Sequence, residues 1–191
     1  MKFGFVGLGQ MGAPMAINLA KAYDVTIFDS KKETMAAVSK KGTNALERPE
    51  QFSKIDVLIL CLPDANTVQH VLFDSKKGFT QYLKKGTIII DVSTTEYGVT
   101  LDINNNLGKI GLHFLDAPVS GMSTGAKDAS LSMMVGGDPT LFLQLKGALL
   151  KMASKIIHMG PVGTGQLTKL VNQLLFDINM AGLAEILPMA A

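Results

Sequence analysis

The chain has 191 residues, 47% hydrophobic and 18% charged, enough for one domain of about 150 residues and a further segment. A net charge of +2 without a basic cluster gives no case for nucleic acid or an anionic membrane surface as partner. The single cysteine, Cys61, excludes an internal disulfide and suits a reducing compartment, and no uninterrupted run of about 20 apolar residues marks a membrane span.

The opening "MKFGFVGLG" reads as a strand at 3–6 entering a turn, without the apolar core and cleavage site of an export signal. The expectation is a protein of the cytoplasm, or of an organelle matrix after loss of a targeting segment. Short β-branched runs follow at 25–28, 57–60 and 87–90 and read as strands buried on both faces, as in a parallel sheet. Between them, 11–20, 32–40, 65–73 and 96–107 have helical patterning. This alternation predicts a Rossmann-type, doubly wound α/β domain with a mostly parallel sheet. Strands at 114–117 and 131–135 come next. Asp138 then caps a helix whose first turn holds Pro139 and which runs to about residue 152. A last strand at 155–158 leads to the link "GPVGTG" and a final helix. The division is a dinucleotide-binding domain at 1–162 and, at 163–191, the start of a long helix that enters a second unit.

In the first turn Gly7, Gly9 and Gly12 have G-x-G-x-x-G spacing between a strand and a helix, with Leu8, Gln10 and Met11 interleaved. Such glycines allow a tight turn, backbone approach to a pyrophosphate and close helix–strand packing, and the helix start offers N–H groups to phosphate. Asp29, twenty-two residues after Gly7 at the end of the second strand, is placed to bind ribose hydroxyls. The pattern points to NAD; NADP stays open because Lys31 and Lys32 can reach a phosphate. His70, His113 and His158 are isolated and read as strand-end or surface residues. No cluster has metal-ligand spacing, and no G-x-S-x-G elbow is present.

On the final helix, Gln166, Lys169, Gln173 and Asp177 fall on one side with Asn172 at its edge, and Leu167, Leu170, Val171, Leu174 and Ile178 on the other. The polar side is either a solvated face or one wall of a cleft. The apolar stripe continues through Leu183, Ile186 and Leu187, with nothing in the 191 residues to cover it, and so marks an interface; Pro188 disturbs the helix near its end.

The stretches "GFVGLGQMGAPMAINL" at 4–19, "LILCLPD" at 58–64, "IIIDVSTTE" at 88–96, "LDAPVSGMSTGAKDASLSMMVGG" at 115–137 and "GPVGTGQLTKLVNQLL" at 160–175 lie in order along the chain. Together they resemble the β-hydroxyacid dehydrogenase family, which includes 3-hydroxyisobutyrate dehydrogenase and related semialdehyde and glyoxylate reductases, with 6-phosphogluconate dehydrogenase more distant. The resemblance implies that Leu62, Pro63 and Thr94 line the cofactor. Ser93 stands beside Thr94, and with Glu96 three residues on it also has the spacing of a capping box. By the same resemblance Ser120 and the N–H of Gly121 bind a substrate carboxylate, and Asn172 contacts substrate. Gln173 replaces a common asparagine, and Met122 replaces a common glycine and crowds the loop.

Lys169 matches the family's catalytic lysine. A free lysine is a poor base at neutral pH, but burial and a nearby oxidised nicotinamide both lower its pKa. The implied activity is hydride transfer between NAD and a small β-hydroxy acid or its semialdehyde, in a homo-oligomer whose further helical domain closes the cleft. The alternatives are a non-catalytic dinucleotide-binding module and an NADP-dependent semialdehyde or imine reductase.

Overall fold

In the computed structural model, which describes residues 1–46 and 48–189, strands and helices alternate as the apolar pattern requires. The strands are β1 Lys2–Val6, β2 Asp24–Phe28, β3 Asn44–Ala45, β4 Val57–Leu60, β5 Ile88–Asp91, β6 His113–Asp116, β7 Val119–Ser120, β8 Leu131–Gly137 and β9 Ala153–Gly160. The helices are α1 Gly12–Ala20, α2 Lys32–Ser39, α3 Ala65–Phe73, α4 Tyr97–Lys109, α5 Met122–Asp128, α6 Pro139–Leu149 and α7 Thr164–Ile186. The last two residues of the 163–191 segment lie outside the described residues.

The period of two along a strand separates the core into two layers. Val57 and Ile59 of β4 join Phe3, Phe5, Ile88 and Ile90 under α1, α2, α5 and α6. Leu58 and Leu60 join Ile89 and Phe114 on the opposite face, under α3 and α4. Each such aliphatic side chain contributes roughly 1.5–3 kcal/mol by leaving water, which is why an unbroken VLIL run is stable only between two helical layers.

The sheet runs β3-β2-β1-β4-β5-β6-β8-β7, with β9 on β8. From β3 to β6 every pairing is parallel; β8 is antiparallel to β6 and β7, and β9 is parallel to β8. Strand order reverses between β1 and β4, so a crevice opens above their carboxyl ends.

β3, β7 and α5 have no counterpart among the expected elements. β3 and β7 are two residues each and rest on pairing with β2 and β8. α5, "MSTGAKD", has no apolar period; Asn18 Nδ2 fastens its end by donating to the carbonyls of Ala126 and Lys127 (2.9 and 3.1 Å). Ser93 does not form a capping box with Glu96. α4 starts at Tyr97 with Glu96 as N-cap and no side-chain cap, and Ser93 Oγ instead accepts from the N–H of Leu62 (2.9 Å). Asp138 does cap α6, accepting from Thr140 and Leu141 N–H (2.7 and 3.0 Å).

α7 lies with its polar side inward. Gly165, Gln166 and Lys169 are buried, whereas Leu167, Val171, Leu174 and Ile178 are more than half exposed. The stretch Thr164–Met189 contains an 18-residue window of mean hydropathy 1.3 and is long and apolar enough to cross a membrane by length and composition. An uninterrupted apolar run is still absent, because Gln166, Lys169, Asn172, Gln173 and Asp177 break it.

Candidate functional site

The glycine loop leaves β1 at the strand-order reversal. A Cβ on Gly7 would meet the carbonyl oxygen of Cys61, and one on Gly12 would meet that of Gly7, so both serve close packing. A Cβ on Gly9 would meet nothing within 4 Å. Gly9 and Gln10 are exposed, Met11 is half-buried, and no side chain caps the start of α1. The loop is therefore a cradle with one open glycine and an uncapped helix start, which fits a dinucleotide pyrophosphate.

Leu8 is 3% exposed, and its N–H donates to Asp29 Oδ2 (2.7 Å). Asp29 Oδ1 accepts from the N–H of Lys31 (2.8 Å). Two backbone donors thus fix the carboxylate at the end of β2 and leave each oxygen a second lone pair for a ribose hydroxyl. Leu8 faces the core, so its side chain is not a cofactor contact.

Across the crevice, Leu62 is half-buried at the end of β4, and Pro63 and Thr94 are exposed. Behind them the Cys61 thiol is pushed up to about 12, first by burial and then by Asp91, which leaves it inert as a nucleophile. Asp91 is wholly buried at the end of β5 and level with Asp116 of β6. Burial raises its carboxyl to about 7 against the opposing hydrogen bond from the Ser93 N–H (3.0 Å).

Asp116 fixes the start of α7. Its Oδ1 accepts from the N–H of Gly163 (2.7 Å) and its Oδ2 from the N–H of Gln166 (2.9 Å). Gln166 is 0% exposed; its Oε1 accepts from the N–H of Thr95 (3.1 Å) and its Nε2 donates to the carbonyl of Ser93 (2.8 Å). Gly165 lets the helix press on β8, since a Cβ there would strike the carbonyl oxygen of Met134 and come within 2.8 Å of Asp116 Oδ2.

Lys169, one turn on, is 8% exposed, and burial pulls its pKa below the usual 10.5. Its Nζ donates to Gln173 Oε1 (2.9 Å). Among the described residues no carboxylate pairs with it. An amine so placed can give or take a proton.

Ser120 is half-buried in β7 and pairs with Ser132 of β8, the strand against which α7 rests. Gly121, at φ +134°, precedes α5. Met122 keeps a left-handed φ of +58°, and its side chain is 80% exposed rather than packed into the loop. Asn172 is half-buried beside Gln173. His70 is exposed on α3, His113 is exposed at the start of β6, and His158 Nε2 is 2.8 Å from the carbonyl of Gly137. A hollow of about 660 Å³ lined by Leu101, Pro139, His158 and Val162 shares no residue with the glycine loop or Lys169. An open crevice is poorly enclosed until something lies across it, so such hollows do not mark this site. Among the described residues no group of His, Cys, Asp and Glu could hold a metal ion.

The residues that sequence reasoning missed are Asp91 and Asp116, along with the inward role of Gln166. The signal for the carboxylates was an acid closing an apolar strand, as in "IIID" and "HFLD"; a charged group there needs a buried partner or a raised pKa.

Over residues 2–160 the chain matches the family model described as the NAD binding domain of 6-phosphogluconate dehydrogenase. The 2-(hydroxymethyl)glutarate dehydrogenase of Eubacterium barkeri is 38% identical over 189 residues, covering 98% of this chain and 62% of the relative. The 2-hydroxy-3-oxopropionate reductase of Escherichia coli is 35% identical, covering 100% of this chain and 65% of the relative. A solved structure of Mycobacterium tuberculosis 3-hydroxyisobutyrate dehydrogenase with L-serine superposes with a TM-score of 0.93 at 32% identity, over 99% of this chain and 64% of that one. The chain spans less than two thirds of the length of each.

Proposed function

This chain belongs to the family of 6-phosphogluconate dehydrogenase-type NAD-binding domains, and from that membership we propose that the whole protein is an oxidoreductase. It moves a hydride between NAD and a small β-hydroxy acid, of the 3-hydroxyisobutyrate kind, or its semialdehyde. Gly9, Gln10 and Met11 hold the pyrophosphate on the tight turn that Gly7 and Gly12 allow, Asp29 holds the ribose, and Leu62, Pro63 and Thr94 flank the nicotinamide. When bound, the nicotinamide supplies or accepts the hydride.

Lys169 takes the hydroxyl proton in oxidation and returns it in reduction. Ser120 and the N–H of Gly121 hold the carboxylate, and Asn172 hydrogen-bonds the reacting oxygen. Gln173 Oε1 accepts from Lys169, so Gln173 orients the amine and keeps its Nε2 and the second lone pair of Oε1 for substrate. The exposed apolar flank of α7 supports a homo-oligomer.

The observation that carries the reading is Lys169 itself: a residue 8% exposed, with no carboxylate partner among the described residues, on a helix bonded to Ser93 just after β5 and to Asp116 at the end of β6. Fluorescence titration with NADH and NADPH, followed by assays with a panel of β-hydroxy acids, tests it. NADH should bind more tightly than NADPH, and Lys169→Ala should lower kcat by about 10²–10⁴-fold with NADH affinity nearly unchanged. Joint loss of binding and turnover in that variant would contradict the assigned role. Binding without hydride transfer to any substrate would favour the non-catalytic module.

A further inference from the structure

We infer that Gln166 is a positioning residue whose side-chain amide couples the cofactor-lining backbone at Leu62 and Ser93–Thr95 to the helix carrying Lys169. The inference rests on the proposed dehydrogenase reading. Its basis is a continuous chain of bonds. The N–H of Leu62 donates to Ser93 Oγ, the carbonyl of Ser93 accepts from Gln166 Nε2, and Gln166 Oε1 accepts from the N–H of Thr95. Both ends of one amide are therefore spent on the segment flanking Thr94, in a setting with 0% exposure. Lys169 follows three residues later on the same face of α7. Any shift of the 93–95 segment on cofactor binding is passed through this amide to the first turn of α7, and so to the amine.

The chemistry demands an amide. A carboxylate would set an oxygen against the Ser93 carbonyl with no proton between them, and it would add a charge near two other acids. Asp116 holds the Gln166 N–H, and Asp91 holds the Ser93 N–H. Lys169 is the cation one turn away. A protonated carboxyl would restore the missing donor. A methionine keeps the length and loses both bonds.

The test compares Gln166→Met and Gln166→Glu with the parent in the reductive direction, where acid keeps Lys169 protonated. Gln166→Met should lower kcat by about 10²-fold, the loss expected for a reacting group misplaced by about 1 Å, with NADH affinity little changed. For Gln166→Glu, kcat relative to the parent should climb as pH falls. Amide hydrogen exchange gives a readout free of turnover: NADH should slow exchange at residues 163–169 in the parent and not in Gln166→Met. Unaltered NADH protection in Gln166→Met, or a pH-independent ratio for Gln166→Glu, would overturn the coupling. So would losses of kcat, NADH affinity and stability in proportion, which mark a plain fold clamp. A parent that transfers no hydride would overturn the dehydrogenase reading instead, while the exchange data still decide the coupling.

Discussion

Asp91 shows at the scale of one residue what a buried acid at the carboxyl edge of the sheet costs. Among the described residues its Oδ2 has no hydrogen-bond partner, and its carboxyl sits at about 7 instead of 3.8, chiefly because burial disfavours the charge. Between those two values the folded chain keeps a proton that the unfolded chain has lost. Stability therefore falls as pH rises through that window and levels off above about 7. Asp91→Asn keeps the oxygen that accepts from Ser93 and removes the titration. Urea unfolding should find the variant close to the parent near pH 4 and more stable by on the order of 1–3 kcal/mol at pH 8. A constant difference across pH would show that Asp91 ionises freely in the fold. "IIID" already placed an acid at a strand end, but the complete burial that raises its carboxyl comes from elements distant in sequence, so the strength of the effect was not legible there.

At the scale of elements, the amphipathic pattern of α7 was plain in the sequence while its orientation was not. Counting positions separated Gln166, Lys169 and Gln173 from Leu167, Leu170 and Leu174, yet hydrophobicity alone would bury the leucines. The buried polar side is acceptable because Asp116, Ser93 and Thr95 satisfy its donors and acceptors, and those partners lie far away in sequence. The same limit hid β7 and α5, which are held by pairing to β8 and by Asn18 rather than by any period of their own. Two glycines of α7 separate docking from helix propensity. Gly165→Ala should cost about 1–3 kcal/mol, because its Cβ would collide with the Met134 carbonyl. Gly182→Ala, with nothing within 4 Å, should stabilise by up to about 1 kcal/mol. Equal shifts in thermal unfolding for the two would mean that α7 is not pressed on β8.

At the scale of the whole molecule, the mostly parallel sheet and the glycine cradle follow from motifs written contiguously in the chain, whereas the strand order and the crevice at its reversal come from the structure. The proposed proton-transfer site joins the ends of β5 and β6 to one late helix through Ser93, Thr95 and Asp116. The resemblance located Lys169, while its desolvation and its tie to the cofactor side emerge only from the packed structure. The proposed reaction needs a Lys169 amine whose pKa is lowered by burial, on the helix bonded to Ser93 and Asp116. Carbon-13 NMR of ε-labelled lysine, with Lys169→Arg to assign the signal, measures that amine as pH is varied with and without NAD⁺. The midpoint should lie below the ordinary 10.5 and fall further when NAD⁺ binds. A midpoint at the ordinary lysine value, unmoved by NAD⁺, would contradict it.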